Sequence, residues 1–485
     1  EPCAVGGLKS NGTLDLDRST INALWKSYVE HMHRMHPFLD KGRTRVLLDT
    51  FKSLYCPDVV ATERFTDTER SPSNAVVYLV LALGVICAHK EPLPGPVQDG
   101  MLDVSRVSEH QYSGTRTMHG SSFTAKNMNS LTNRGNQRAP LESSASSPQT
   151  ATNMDVIPGL AYYDKAAEIL GEQSDGNELI HAQMFLLAAL YKGQLARVTE
   201  SMRWISKAGG VIQQLLHKYK LYNENYWNAF EDVRSKHKES HKLIVDMRQN
   251  LIVLASWTCL ELESDILAEL SLPPSGIQDI ENLLMMPHNL ADEETYDGLT
   301  RHRDGKGEDY NTIILHYTAQ MFLRKRLNQA QRQLYGSDCL DQPLPEIQAM
   351  LHGHEETLRG WRAMLPPGLN WTCDELPPAE ILSARLRAKY GGACYMVNRP
   401  FLDYALHIMP HVKDGKSVDE VALDARGNPR HEADVHLFNA IRYMGEGEVE
   451  AACRRCVEAA MQSTEALDGV PNRPVVTNIH GTAHA

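Results

Sequence analysis

Leu251-Ile-Val-Leu-Ala-Ser-Trp-Thr-Cys-Leu-Glu-Leu262 is the stretch on which the fold turns. It falls short of the roughly 20 apolar residues that a bilayer crossing needs, and it carries Glu261. Leu243, Met247, Leu251, Leu254, Thr258 and Leu262 recur at steps of three and four, the mark of one helical face. Apolar residues fill the other faces too. This predicts a central, largely buried helix that stops at Leu272-Pro273-Pro274. Ala75–Ala88 has the same character and is also read as a buried helix.

Moving outward, the helical period persists. Ile21, Leu24, Trp25, Tyr28, Val29 and Met32 form an apolar stripe, with Ser19 or Thr20 as its cap and Pro37 as its end. Tyr310–Leu334, Ile347–Leu365, Ile381–Val397 and Val449–Leu467 are further helical stretches. Alternating strand patterns, hairpin dipeptides between apolar runs and tandem repeats are not found. The expected class is therefore all-α, a large multi-helix body. Residues 92–153 are rich in Ser, Thr, Asn, Gln and Gly, as in Gly120-Ser-Ser-Phe-Thr and Glu142-Ser-Ser-Ala-Ser-Ser-Pro. They cannot bury enough apolar surface to offset their ordering entropy, so a long disordered internal linker is expected. The organisation expected is N-terminal helices over 13–91, this linker, a central helical core over 154–290 and a polar loop over 291–309. C-terminal helices over 310–467 and a tail over 468–485 complete it.

Composition narrows the function classes. The chain has 485 residues, 42% hydrophobic and 23% charged, which is ample for a large core. Its 61 acidic residues outnumber 49 basic ones, giving a net charge of -12. That balance argues against a broad nucleic-acid-binding surface. The best local exception, Arg324-Lys-Arg326 with Arg332, is read as a solvated helix face. Nine widely spaced cysteines do not make a disulfide framework and suit a reducing compartment. Glu1–Gly12 has no basic flank before an apolar run and no initiator Met, which sets the expectation of a fragment.

No catalytic, cofactor-binding or metal-ligating residue is assigned. Phosphate loops, dinucleotide fingerprints, nucleophile elbows and kinase motifs are not found. His354-Glu355 begins like a zinc-protease helix, but Leu358 stands where the second histidine is needed. Cys453-x-x-Cys456 lacks further ligands nearby and lies on the stripe Val449, Cys453, Cys456, Val457, Ala460, Thr464, Leu467, so packing is expected. His31, His33 and His36 end the first helix, where imidazolium would suit the dipole. Glu231, Ser235 and Glu239 approach the second magnesium motif of class I terpene cyclases, also all-α. The first ligand there should be Asn or Asp, and the partner aspartate-rich motif is not found. That magnesium-dependent enzyme is the alternative reading.

Several stretches, in order, resemble the fungal transcription factor regulatory domain, the middle homology region that follows a zinc binuclear cluster. Leu24-Trp-Lys-Ser-Tyr-Val-Glu-His-Met-His-Arg-Met-His-Pro-Phe-Leu39 is similar to its opening helix, and the buried run Ala75–Ala88 follows. Pro158-Gly-Leu-Ala-Tyr-Tyr-Asp-Lys165, His181-Ala-Gln-Met-Phe-Leu-Leu-Ala-Ala-Leu-Tyr191 and Ser201–His217 resemble the next helices. Ser256–Ser275 matches at Trp257 and Leu262, with Glu263-Ser264 where the family has Asp-Arg. Leu386-Arg-Ala-Lys-Tyr390 with Asn398-Arg-Pro-Phe-Leu402 closes the series.

The resemblance implies a nuclear regulator and not an enzyme: an effector-sensing or inhibitory domain acting on RNA polymerase II transcription. It implies contact with promoter DNA only through a zinc cluster expected N-terminal to Glu1, so no zinc or other cofactor is expected in this chain. A small-molecule effector, transcriptional co-regulators and a homodimer are the implied partners, with no membrane. The family domain usually continues into further helices, so truncation at Ala485 is expected too.

Overall fold

The computed structural model describes residues 5–56, 68–91, 93, 152–222, 246–287, 310–372, 375–424 and 426–471. Nearly all of the linker expected over 92–153, the polar loop 291–309, most of the tail and the Glu231–Glu239 motif lie outside the described residues. So does Leu243, the first member of the central stripe.

The described residues are all-α. Isolated bridges pair Leu8 with Leu14, Tyr222 with Leu284 and Leu423 with Pro429, and no sheet forms among them. The longer helices are α1 (Arg18–Tyr28), α2 (Lys41–Tyr55), α3 (Pro72–Ala88), α4 (Leu160–Glu172), α5 (Leu179–Gln194) and α6 (Val198–Tyr219). They continue as α7 (Met247–Leu267), α8 (Tyr310–Tyr335), α9 (Leu344–Ala363), α10 (Ile381–His407), α11 (Glu432–Arg442) and α12 (Glu446–Glu465). No described helix is long and apolar enough to cross a membrane.

Two hydrophobic clusters organise these helices. The first gathers α1 to α7 and the front of α8 through Ile313, Ile314, Tyr317 and Met321. The second gathers the rest of α8 with α9 to α12. Two helices thus belong to both cores, because Leu382 at the start of α10 also packs in the first. α3 and α7 run through the first core and bury nearly every side chain. Trp257 is fully buried and donates its indole N–H to the Met285 carbonyl at 2.8 Å. Bare backbone meets backbone where α10 crosses α12. A Cβ on Gly391 would stand 2.9 Å from Ser463 N and 3.0 Å from Ala459 O.

Several element ends differ from expectation. α1 is entered at Asp17, not Ser19 or Thr20. The Asp15 carboxylate takes the capping work, accepting from Asp17 N and from the Thr20 hydroxyl, both at 3.0 Å. After Tyr28 the helix widens into a π-helical turn, Val29–His33, before Pro37 stops it. α7 ends at Leu267, short of Leu272-Pro273-Pro274. α10 continues past Val397 through Pro400. The carbonyl orphaned by that proline is Met396, and Tyr335 supplies the missing donor through its hydroxyl at 2.6 Å. On α12 the buried face is Val449, Ala452, Cys456, Ala459 and Ser463. The stripe read from the sequence is rotated from this: Cys456 packs inside, Cys453 is half-buried, and Val457 and Thr464 face outward.

Candidate functional site

Charge is buried where the two cores meet. α7 supplies Glu261 and Asp265, α8 supplies Arg324, and α10 supplies Arg385 and Lys389. The i, i+4 spacing on α7 and again on α10 points each pair toward the other helix. Arg324 pairs directly with Asp265. Glu261 Oε2 lies 3.7 Å from Arg385 Nη2 and 3.9 Å from Lys389 Nζ, and Lys389 is also 4.0 Å from Asp265 Oδ2. Neither Glu261 oxygen accepts a hydrogen bond. Arg385 also donates to the Met35 carbonyl at 2.9 Å, tying α10 to the turn that follows α1.

Three cations therefore face two anions in a mostly dry interior. Burial pushes Lys389 down to about 7, with Glu261 pulling the other way and Arg385 and Arg324 adding to the fall. Arg385 is lowered by burial as well. His36 beside them is pushed well below its usual value by burial and by the charges of Arg385 and Lys389. Its ring nitrogens make no hydrogen bond. His33 is held down to about 4 by burial, then by Lys41. Both are neutral imidazoles inside the fold, which corrects the expectation of imidazolium at a helix end. His31 alone stays partly exposed, its Nδ1 2.8 Å from the Ser27 carbonyl oxygen.

The residues that depart from the family pattern have structural employment. Glu263 is buried and accepts from Ser275 N at 3.0 Å, so it anchors the proline loop after α7. Burial raises its carboxyl. Ser264 accepts from Asn328 of α8 at 3.0 Å and from Gln278 at 3.2 Å.

On the other side of α8 a cleft of about 900 Å³ opens between that helix, α9 and the turn after α9. Its apolar wall includes Phe322 and Trp361, and Lys325, Arg326 and Arg332 line it from α8. The basic run noted in the sequence is thus split and not a single solvated face. Arg324 turns inward to Asp265, while its three companions face the cleft. Arg332 bonds Glu281 at 3.2 Å, and Arg326 donates to Gln329 at 3.2 Å.

Among the described residues no group of three or more His, Cys, Asp or Glu is placed to hold a metal. Cys453 and Cys456 are free thiols, and burial raises both. His354 is partly buried on α9 and lowered by burial and by Arg326. The buried charge cluster is not visible in any one motif, but its two i, i+4 pairs of opposite sign on apolar helices were a readable signal. The cleft joins residues distant in sequence and had none. No family model, curated protein or solved structure matches the chain.

Proposed function

We propose that the chain is the regulatory, effector-sensing domain of a fungal zinc-cluster transcription factor. On this reading it acts in the nucleus on RNA polymerase II transcription and contacts co-regulators, while a zinc cluster outside the chain binds the promoter. One observation carries the reading. The stretches that resemble the middle homology region are far apart in sequence yet fall on packed helices. Those on α1, α3, α4, α5, α6 and α7 share the first core. The last, on α10, begins one residue after Arg385, which with Lys389 reaches Glu261 on α7. A helix common to two cores, with a small-molecule-sized cleft on its flank, supports the sensing role.

The test is a reporter assay with the chain fused to a heterologous DNA-binding domain. The reading expects reporter output to change relative to the DNA-binding domain alone, in either direction. Unchanged output from a folded, expressed fusion would sink it. Magnesium-dependent release of diphosphate from a prenyl diphosphate by the purified chain would favour the terpene cyclase alternative instead.

A further inference from the structure

The cleft on α8 changes character along that helix. Leu315, Ala319 and Phe322 line it at steps of four and three, broken only by the Thr318 hydroxyl. At the helical rise this apolar row is about 10 Å long. Beyond Phe322 the helix presents only polar side chains to the cleft, from Lys325 to Gln333. The other wall, from α9 and the turn after it, supplies Trp361, Leu365 and Leu369. Trp361 is held by stacking on Tyr390, with ring centroids 5.7 Å apart and planes 18° apart. The cleft therefore has an apolar end with apolar side chains on both walls. Its whole volume, about 900 Å³, lies within the range of small-molecule sites.

We propose that the apolar end of this cleft binds a small hydrophobic molecule whose apolar body, about 10 Å long, lies between the Leu315–Phe322 row and Trp361. The driving force is the removal of apolar surface from water, on the ligand and on both walls. Recognition is by length and apolar contact, so no charge in the lining is asked to act. A body shorter than the row leaves part of it wet. A longer one runs on into the polar stretch after Phe322, where further methylenes find no apolar partner on α8. Phe322 packs against both cores and also lines the cleft, so a ligand seated there braces the joint between them. The ligand's standing as an effector rests on the regulatory reading, whereas its binding does not.

The probes are the uncharged straight-chain alcohols from butanol to dodecanol. Each is titrated into the purified chain against bound N-phenyl-1-naphthylamine, a fluorophore that is also uncharged. The expected result is saturable binding of one alcohol per chain. Affinity should rise about two- to fourfold per methylene up to about eight carbons, the extended length that matches the row, and then level off. Met364 is 80% exposed and Leu315 43% exposed, so Met364→Glu and Leu315→Glu should weaken octanol at least about fivefold without unfolding the chain. Thr318→Trp fills the apolar end and leaves every charge in place, and should weaken octanol as much. Leu406→Glu, exposed on α10 outside the lining, should leave binding unchanged. Unaltered far-UV circular dichroism confirms that each variant is folded. No saturable binding, affinity that keeps rising to dodecanol, or equal effects of Met364→Glu and Leu406→Glu would each overturn the proposal. A dimer by light scattering that octanol splits would put a second copy of the chain in the cleft, and would overturn it too. Octanol binding with a silent reporter would overturn the regulatory reading alone, and a responsive reporter without octanol binding would overturn this assignment alone.

Discussion

Lys389→Met should stabilise the protein at neutral pH, although it removes one member of a buried ion cluster. The folded lysine titrates near about 7, driven down by burial against the pull of Glu261. An unfolded lysine titrates near about 10.4. The gap of about three units, at about 1.4 kcal/mol each, makes the ammonium cost about 4 kcal/mol below pH 7. The folded state binds fewer protons than the unfolded state between these values. Stability therefore rises through this group as pH increases from about 7 to about 10, and the contribution is flat above that. Methionine keeps the stem and drops the charge, leaving Glu261 with Arg385 and Asp265 with Arg324. The gain should be about 2–4 kcal/mol at pH 7 and near zero at pH 10. Glu261→Gln is the opposite perturbation. Its contacts at 3.7 and 3.9 Å are worth about 4 kcal/mol each at an effective dielectric of about 20, and the glutamine leaves three cations facing one anion. Lys389 then sheds its proton, which caps the net loss at about 3–5 kcal/mol. The assay is denaturant unfolding followed by circular dichroism at pH 7 and pH 10 for the three proteins. A lower midpoint for Lys389→Met at pH 7, or the same change with pH in wild type and variant, would refute the reasoning.

Trp257→Ala removes a fully buried indole and its bond to Met285, and should cost about 3–5 kcal/mol by denaturant unfolding; a loss under about 1 kcal/mol would displace it from the core. Gly391→Ala forces a Cβ against the backbone of α12 at 2.9 Å and should cost about 1–3 kcal/mol, whereas an unchanged melting midpoint would mean that α10 and α12 slide apart freely. The chain alone should bind duplex DNA no tighter than about 1 μM at physiological salt, without sequence preference, since Arg324 is engaged inside and the net charge repels phosphates. A salt titration showing sub-micromolar, sequence-selective affinity would contradict that.

The helical class was legible because burial is written in local sequence, as a one-sided period in α1 and as apolar residues on all faces of α3 and α7. Trp257 was legible for the same reason: apolar residues surround it on every side of its helix. What sequence could not settle depends on partners far away in the chain. Arg324 and Lys325 are neighbours with the same sign, yet one pairs with Asp265 and the other lines a cleft, because the helix turns them to different faces. The helix expected to end at Val397 runs on through Pro400, and the carbonyl that this proline leaves without its donor is met by the Tyr335 hydroxyl of α8. The rotated face of α12 has a similar origin. Ala459 and Ser463 are small and bring the backbone of α12 against Gly391 of α10, so they take the interface while the larger Val457 faces outward. His36 read as a helix-end cation because the sequence does not reveal that Arg385 and Lys389 arrive beside it.

The central claim, a regulatory body belonging to a zinc-cluster transcription factor, is tested most directly by zinc stoichiometry. The protein encoded by the full open reading frame would be purified and its metal content measured by plasma mass spectrometry. The account expects about two zinc ions per polypeptide, held by a six-cysteine segment upstream of Glu1 and lost when that segment is deleted. A full-length protein with no stoichiometric zinc, or with zinc retained by the 485-residue chain alone, would contradict it.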